Sequence, residues 1–247
     1  MTLETILTPA ELPALARRDL GGSTCVVFDV LRATSTFVTA LQNGAGAIIP
    51  VGEISEAVAH RQRHPEVLLA GERNGVRILA AQPGGVDFDL GNSPREFRPE
   101  KVRGKTIVST TTNGTRALRA CAAAQVVLAS SFLNLAATAK FLNQSPPAEI
   151  FLICAGTGEG VALEDVLAAG ALAGLVGGDY TDSTEIAART FQSAKADLPA
   201  ALASAQNARR LLAIPDLRAD VAFCAQRDVF KIVVRLDPAG ALRPLRG

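Results

Sequence analysis

Residues Val26–Thr36 read VVFDVLRATST, a short apolar run that ends at Asp29 and leads within a few residues into a helix-forming stretch. The run is continuously apolar rather than alternating, which is typical of a strand covered on both faces of a sheet. The residues that follow, Ala33–Gly44, are predicted to form a helix. A buried strand followed at once by a helix is the repeating unit of α/β proteins.

The same unit recurs along the chain and predicts a layered α/β/α fold with a largely parallel or mixed sheet. Short apolar runs predict strands at Thr24–Asp29, Ala47–Pro50, Val67–Ala70, Thr106–Thr110, Gln125–Ala129, Glu149–Cys154 and Val229–Val234. Stretches with helical spacing predict helices at Ala33–Gly44, Ile54–Arg63, Gly114–Ala123, Ser131–Leu142, Ala162–Val176, Asp182–Lys195, Leu198–Ala213 and Ala219–Ala225.

We expect residues 1–247 to form a single domain. The QSPP stretch within Asn143–Pro147 could separate two closely packed lobes, but it equally fits an ordinary loop between a helix and a strand, which we favour. Two polar segments rich in Gly or Pro, Gly71–Pro99 and Ala155–Gly160, lack a helical pattern. Loops at the carboxyl ends of strands form the binding sites of α/β proteins, so these segments are the expected walls of a site.

The composition excludes several classes of protein. Of the 247 residues 48% are hydrophobic and 20% are charged, which excludes a disordered or fibrous chain. The 25 basic and 24 acidic residues leave a net charge of +1, and aromatic residues make up 4%, so neither nucleic acid nor a membrane is an expected partner. The four cysteines form no metal or disulfide pattern, and the N-terminus lacks the features of a signal peptide. We therefore expect a cytoplasmic protein, and a small Ala-rich α/β chain predicts a homodimer.

Asp29 stands at the end of the first predicted strand, where an unpaired buried carboxylate is costly. Such a carboxylate is a natural Mg²⁺ ligand, because Mg²⁺ takes one or two carboxylates together with substrate oxygens. In the alternative interpretation, Asp29 pairs with Arg32 or caps the following helix. We favour the functional role, since perturbed carboxylates cluster at functional sites.

The segment Lys105–Leu118, KTIVSTTTNGTRAL, leads from a strand into a helix through a run of hydroxyl-bearing residues. Hydroxyl groups and backbone N–H groups at a helix start can hold a phosphate or carboxylate, and Arg116 adds a positive charge. The same residues also fit an ordinary helix cap. Three consecutive threonines exceed what one cap requires, so we favour an anion cradle formed by Thr110, Thr111, Thr112, Asn113, Gly114 and Thr115.

Further polar clusters follow other predicted strands. The motifs GERNG and FDLGNSP supply Glu72, Arg73, Asn74, Asp89, Asn92 and Ser93. A glycine loop after Cys154 leads to Glu164 and Asp165 in the first turn of a helix. The helix dipole favours acidic residues there without any function. Consecutive helical residues diverge by about 100°, so at most one of this pair is expected to share a ligand with Asp29.

Better-known phosphate and nucleotide motifs do not fit. Gly156–Val161 lacks the third glycine of GxGxxG, and Gly104–Thr106 lacks the first glycine of a P-loop. Cys154 is not followed by the arginine that a cysteine phosphatase requires, and the only histidines are His60 and His64 on a polar helix face. The remaining carboxylates, hydroxyls and arginines indicate Mg²⁺ and phosphate chemistry.

These motifs, taken in order, resemble those of the 2-phosphosulfolactate phosphatase family. The resemblance is carried by VVFDVLRATST, GERNG, FDLGNSP, TTTNGTRAL, CAG and LEDVLAAG, from about Val26 to Phe230. The segment Ser204–Leu212, SAQNARRLL, departs from the family pattern. The resemblance implies a Mg²⁺-dependent phosphomonoester hydrolase that converts 2-phospho-3-sulfolactate into 3-sulfolactate and phosphate. In organisms that make coenzyme M, this is a biosynthetic step.

The residue types suggest a role for each group in such a reaction. Mg²⁺ would be held by Asp29 together with one of Glu72, Glu164 and Asp165. The cradle and Arg116 would hold the phosphoryl oxygens, while Arg32 or Arg73 would hold the substrate's carboxylate or sulfonate. The expected additional substrate contacts are Asn74, Asn92 and Ser93. Three alternatives remain: a phosphatase for another phosphorylated 2-hydroxy acid, a lyase or isomerase acting on phospho-acids, and a non-catalytic protein that binds a small dianion.

Overall fold

The computed structural model describes residues 1–81 and 86–245. Its strands are β1 (Thr2–Ile6), β2 (Thr24–Phe28), β3 (Ala47–Pro50), β4 (Leu68–Arg73), β5 (Val76–Arg77), β6 (Thr106–Thr110), β7 (Val126–Ser130), β8 (Glu149–Cys154), β9 (Asp179–Tyr180), β10 (Val233–Leu236) and β11 (Leu242–Leu245). Its helices are α1 (Leu12–Leu15), α2 (Ala33–Gln42), α3 (Ile54–Arg63), α4 (Pro99–Val102), α5 (Gly114–Ala120), α6 (Leu135–Gln144), α7 (Leu163–Val176), α8 (Asp182–Ala194), α9 (Leu198–Ala203), α10 (Gln206–Leu212) and α11 (Arg218–Cys224).

The described strands form one mixed sheet in the order β5-β4-β6-β3-β11-β10-β7-β2-β8-β1-β9. Parallel pairing joins β3, β6 and β4 in one group and β7, β2, β8 and β1 in another. The hairpin β10–β11 lies between the groups and pairs antiparallel with both. Helices cover both sides of the sheet, which confirms the layered α/β fold predicted from the sequence.

Burial on both faces explains why the central strands are apolar along their whole length. Every residue of β2 is buried, and β8 is buried from Ile150 to Cys154. One core cluster contains Val27 and Phe37. A second core cluster, made of other residues, contains Phe28 and Leu167. Successive strand residues point to opposite faces, so Val27 and Phe28 reach different clusters.

Several predicted elements differ from those observed. β1 was not predicted, although it pairs with β8 over its full length. The strand predicted at Val229–Val234 overlaps the observed β10 only at Val233 and Val234. β10 forms a hairpin with β11, and its turn contains a hydrogen bond from the Ala241 N–H to Asp237 Oδ1. The helix predicted at Leu198–Ala213 is divided into α9 and α10. The QSPP stretch connects α6 to β8, and none of the described helices is long and apolar enough to cross a membrane.

Candidate active site

A cavity of about 380 Å³ lies where the loops after β2, β4 and β6 meet helix α10. This volume is within the usual range of small-molecule sites. Several connections between elements and helix α10 contribute the lining residues, which are Asp29, Leu31, Arg32, Glu72, Asn74, Gly75, Asn92, Thr112, Asn113, Thr157, Gly158, Asn207, Arg210, Leu211 and Ile214.

Asp29 lies directly after β2 and is 8% exposed. Its Oδ1 accepts a hydrogen bond from the Ala33 N–H at 3.1 Å, so it caps the start of α2 as the alternative interpretation expected. Burial raises the pKa of Asp29 to about 7, and the negative charges of Glu72 and Glu164 act in the same direction. The carboxylates of Asp29, Glu72 and Glu164 therefore lie close enough to influence one another.

Glu72 is held in place by the loops on either side of it. Its Oε1 accepts hydrogen bonds from the N–H and hydroxyl of Thr112, at 2.8 and 2.9 Å. Its Oε2 accepts one from the Gly75 N–H at 2.7 Å. The carboxylate therefore joins the end of β4 to the segment after β6 and presents a fixed charge to the cavity.

Glu164 and Asp165 have different surroundings although they are adjacent in α7. Glu164 Oε1 accepts a hydrogen bond from Asn207 Nδ2 at 2.7 Å, while its buried Oε2 has no partner among the described residues. Burial raises the pKa of Glu164. Asp165 uses both oxygens, accepting from the Val30 N–H at 2.8 Å and the Gly156 N–H at 3.0 Å. Burial, and then the charges of Glu164 and Asp29, raise the pKa of Asp165 well above its usual value.

Asp165 is therefore a brace between two loops, and it does not line the cavity. Glu164 does not line the cavity either, but its Oε2 has no partner among the described residues, and Asn207, which bonds its Oε1, does line the cavity. Of the two acids, Glu164 is therefore the one with an oxygen left for a ligand shared with Asp29. The physical reason is the direction of the side chains: consecutive helix positions diverge by about 100°.

Arg32 is almost fully buried and forms an ion pair. Its Nη1 donates to Asp220 Oδ2 at 2.7 Å, and its Nη2 donates to the Gly75 carbonyl at 2.5 Å. Asp220 is fully buried in α11, and its Oδ1 accepts a hydrogen bond from the Ser93 hydroxyl at 2.7 Å. Asp220 thus fixes the orientation in which Arg32 faces the cavity. Ser93 in turn holds the Asp220 carboxylate in place through its hydrogen bond.

The hydroxyl groups of Thr110, Thr111 and Thr115 form hydrogen bonds with backbone groups of the protein. The Thr111 N–H donates to the Thr115 hydroxyl at 3.3 Å, and the Thr115 N–H donates to the Thr111 hydroxyl at 3.2 Å. The Thr110 hydroxyl donates to the Gly52 carbonyl at 3.0 Å. Thr111 and Thr115 thus fix the turn at the start of α5, and Thr110 joins β6 to the loop after β3. The residues of the predicted cradle that line the cavity are Thr112 and Asn113. Gly114 is required for packing, because a Cβ there would lie 2.6 Å from Asp29 Oδ2.

Two of the predicted arginines point elsewhere, which corrects their expected placement in the site. Arg73 Nη2 donates to Thr110 Oγ1 at 3.0 Å, and its Nη1 donates to the Glu72 carbonyl at 2.8 Å. Arg116 Nη1 forms a 2.7 Å ion pair with Glu159, and both side chains are about half exposed or more. Neither arginine lines the cavity, because each guanidinium finds acceptors close to its own position.

The asparagines of the predicted site are at the cavity. Asn74 and Asn92 line it, and the Asn92 carbonyl accepts a hydrogen bond from Thr36 Oγ1 at 2.8 Å. Cys154 is fully buried, and burial raises the pKa of its thiol well above the usual value, so it is not a poised nucleophile.

The sequence interpretation missed the wall formed by α10, where Asn207 and Arg210 line the cavity. Thr157 and Gly158, which also line it, lie in the segment Ala155–Gly160 that the sequence predicted to form a wall. The one available signal was the segment SAQNARRLL, whose asparagine and arginine lie three positions apart on one helix. Helical residues three apart are neighbours on one face, so this spacing allows both to reach one site.

The donor set fits a hard divalent cation. No group of three or more His, Cys, Asp or Glu side chains forms a complete ligand set within residues 1–81 and 86–245. Mg²⁺ does not require one, because it usually binds through one or two carboxylates and keeps several waters. Asp29, with its raised pKa, and the unpartnered Oε2 of Glu164 are oxygens that a cation would stabilise.

Comparison with known proteins agrees with the motifs and the site. The profile of the 2-phosphosulpholactate phosphatase family matches residues 6–238. A probable 2-phosphosulfolactate phosphatase of Thermotoga petrophila is 45% identical over 214 residues, covering 86% of this chain and 88% of the relative. Its counterpart in Thermotoga maritima is 44% identical over the same length, with the same coverage. That of Caldanaerobacter subterraneus subsp. tengcongensis is 39% identical over 225 residues, covering 89% and 90%. The chain therefore belongs to the 2-phosphosulfolactate phosphatase family and is a phosphoric monoester hydrolase.

Proposed function

We propose that the protein is a Mg²⁺-dependent phosphatase that hydrolyses 2-phospho-3-sulfolactate to 3-sulfolactate and phosphate. The observation that carries this proposal is a cavity lined by Asp29, Glu72 and two arginines, with Glu164 close enough for its charge to act on Asp29. Carboxylates alone would repel a phosphorylated acid. A cation between the carboxylates and the substrate resolves this conflict, and the names of the relatives supply the substrate.

Asp29 and Glu164 are the residues that would hold Mg²⁺. Glu72 is less suited to direct ligation, since three hydrogen bonds already use its two oxygens. When bound, Mg²⁺ neutralises charge on the phosphoryl group and acts as a Lewis acid toward it. Asn207 keeps one oxygen of Glu164 in place through its side-chain amide. Such hydrogen bonds to a ligand orient it and tune its affinity for the metal.

The chain's own cation near the reacting group is Arg32. Asp220 and the Gly75 carbonyl fix its guanidinium before the substrate arrives, so little reorganisation is needed. Preorganised donors directed at developing charge are the main source of catalysis in phosphoryl transfer. The side-chain amides of Asn74, Asn92 and Asn113 add uncharged donors around the same cavity. The Cys154 thiol takes no part in this proposal.

The proposal is tested by measuring phosphate release from 2-phospho-3-sulfolactate, 2-phospholactate and an uncharged-alcohol phosphate such as β-glycerophosphate, each with Mg²⁺. We expect the sulfonated substrate to have the highest kcat/KM. A preference for 2-phospholactate would favour the alternative of another phosphorylated 2-hydroxy acid. Binding without phosphate release would indicate a dianion-binding protein, and a ³¹P NMR spectrum with a rearranged phospho-acid would indicate a lyase or isomerase.

A further inference from the structure

The two arginines that line the cavity differ in what their charges already contact. The charge of Arg32 is matched by the buried Asp220 at 2.7 Å, and its second terminal nitrogen donates to a carbonyl. Arg210 is exposed and makes no hydrogen bond or ion pair with any residue in the described part of the chain. Of the two guanidinium groups that line the cavity, that of Arg210 is therefore the one whose N–H donors are available to a ligand.

The position of Arg210 on the wall is set by its own helix. Asn207, three residues earlier in α10, donates to both Glu164 Oε1 and Thr157 Oγ1 at 2.7 Å. This contact anchors one turn of α10 to the carboxylates. Arg210 lies on the same helix face, where positions three apart have Cβ atoms about 5–6 Å from each other. Arg210 therefore lies on the same cavity wall as the residue that contacts Glu164, where it can bind a second acid group of a small ligand whose phosphate lies near the carboxylates.

The surroundings of Arg210 are partly apolar. Leu211, next to Arg210 in the chain, and Ile214, four residues after it, also line the cavity. An apolar strip beside a free guanidinium fits a methylene group that ends in an acid. In 2-phospho-3-sulfolactate the carboxylate and the phosphate ester are both attached to C2. The sulfonate is attached to the neighbouring carbon, C3, and so lies farther from the phosphate ester than the carboxylate does. The sulfonate is also always ionised and offers several oxygens to the planar fork of an arginine.

We infer that Arg210 binds the distal sulfonate and thereby selects phosphomonoesters that carry a second strong acid. This inference rests on the proposed function, because it assumes that the phosphate lies at the carboxylate end. It assigns to α10 the specificity that the sequence had placed on Arg32 or Arg73.

Arg209 offers a matched control. It is adjacent to Arg210 and equally charged, but its Nη1 donates to the Ser204 carbonyl, and it does not line the cavity. Arg209→Ala and Arg210→Ala remove the same charge from the same short helix. A difference between the two variants therefore reports the position of Arg210 rather than the net charge or the stability of α10.

The test measures kcat/KM for 2-phospho-3-sulfolactate and for 2-phospholactate, which lacks the sulfonate, and the affinity for 3-sulfolactate by titration calorimetry with Mg²⁺. We expect Arg210→Ala to lower the ratio of the two kcat/KM values, and the affinity for 3-sulfolactate, by about 10- to 100-fold, as for a lost charge-assisted contact. Arg210→Lys should restore part of the loss, and Arg209→Ala should leave the ratio and the affinity at the wild-type values.

An equal loss on both substrates in Arg210→Ala, or the same loss in Arg209→Ala, would overturn the inference. If the wild type releases no phosphate from either compound, the proposed function fails, and 3-sulfolactate binding then decides about Arg210 alone. Binding that is lost only in Arg210→Ala supports the sulfonate site. Binding that is unchanged by Arg210→Ala, or absent in the wild type, contradicts it.

Discussion

Asn207 donates its side-chain amide to Glu164 Oε1 at 2.7 Å, which ties helix α10 to the acidic end of the cavity. The same amide nitrogen also lies 2.7 Å from Thr157 Oγ1 in the loop before α7. One side chain thus positions a proposed metal ligand and the helix that carries Arg210. This contact lowers the pKa of Glu164, opposing the larger effect of burial, and so keeps the carboxylate available to a cation.

Asn207→Ala should weaken the response to Mg²⁺. Without Asn207, Glu164 is left buried with neither carboxylate oxygen bonded to a side chain, which raises its pKa further and loosens its orientation. The Mg²⁺ concentration for half-maximal phosphate release should rise roughly 10- to 100-fold, as is usual when a residue supporting a metal ligand is removed. Asn143→Ala is the control, since Asn143 donates to the Leu175 carbonyl on the surface. An unchanged Mg²⁺ response in Asn207→Ala would exclude this role.

Asp165→Ala should act mainly on folding. The substitution leaves the buried N–H groups of Val30 and Gly156 without acceptors, at about 1–3 kcal/mol each, and relief of repulsion with Glu164 and Asp29 offsets only part of this. We expect the free energy of unfolding in urea to fall by about 2–5 kcal/mol. If stability is unchanged while the requirement for Mg²⁺ rises, Asp165 and not Glu164 is the ligand.

Asp220→Ala should remove the positioning of Arg32. Breaking a buried ion pair from one side typically costs about 3–5 kcal/mol, because the remaining charge stays buried without an opposite charge. Ser93→Ala removes only the hydrogen bond to Asp220, so its cost should be smaller, about 1.5–3 kcal/mol, with a raised KM. Ser204→Ala, whose hydroxyl contacts the Ala201 carbonyl, serves as the control. Equal stability and KM in all three variants would show that Arg32 needs no such support.

The metal-free protein should lose stability as the pH rises. The folded protein keeps a proton on Asp29 up to about pH 7, whereas the unfolded chain releases it near the usual value of 3.8. Between these values the folded state binds more protons, so the free energy of unfolding falls with increasing pH. Asp29→Asn removes this contribution and should be more stable than the wild type at pH 8 in EDTA, but not at pH 3. Parallel pH profiles for the two proteins in urea unfolding would contradict the shifted pKa.

The sequence predicted those parts of the site that directly follow buried strands. Asp29 after β2, Glu72 at the end of β4 and Thr112 after β6 all line the cavity. A polar residue at the end of an apolar run usually lies in the loop that follows the buried strand, at the edge of the sheet. Its position can therefore be predicted from the local sequence alone. The same reasoning supplied the layered fold.

The remaining parts depend on packing between distant segments. Asn207, Arg210 and Asp220 lie in short helices near the end of the chain, and their approach to β2 cannot be read from local pattern. Arg73 and Arg116 have the side chain expected to bind an anion. In the structure, however, Arg73 donates to Thr110 and Arg116 pairs with Glu159, and neither lines the cavity. The single-domain organisation, the homodimer and the cytoplasmic location stay predictions.

The most direct test of a cation held by Asp29 and Glu164 is phosphate release from 2-phospho-3-sulfolactate by EDTA-treated enzyme as Mg²⁺ is added back. We predict no release above background without a divalent cation, full recovery with Mg²⁺, and no recovery at any Mg²⁺ concentration for Asp29→Asn, while Asp182→Asn, altered at an exposed carboxylate of α8, behaves as the wild type. Undiminished release by the EDTA-treated wild type, or by Asp29→Asn with saturating Mg²⁺, would contradict the account.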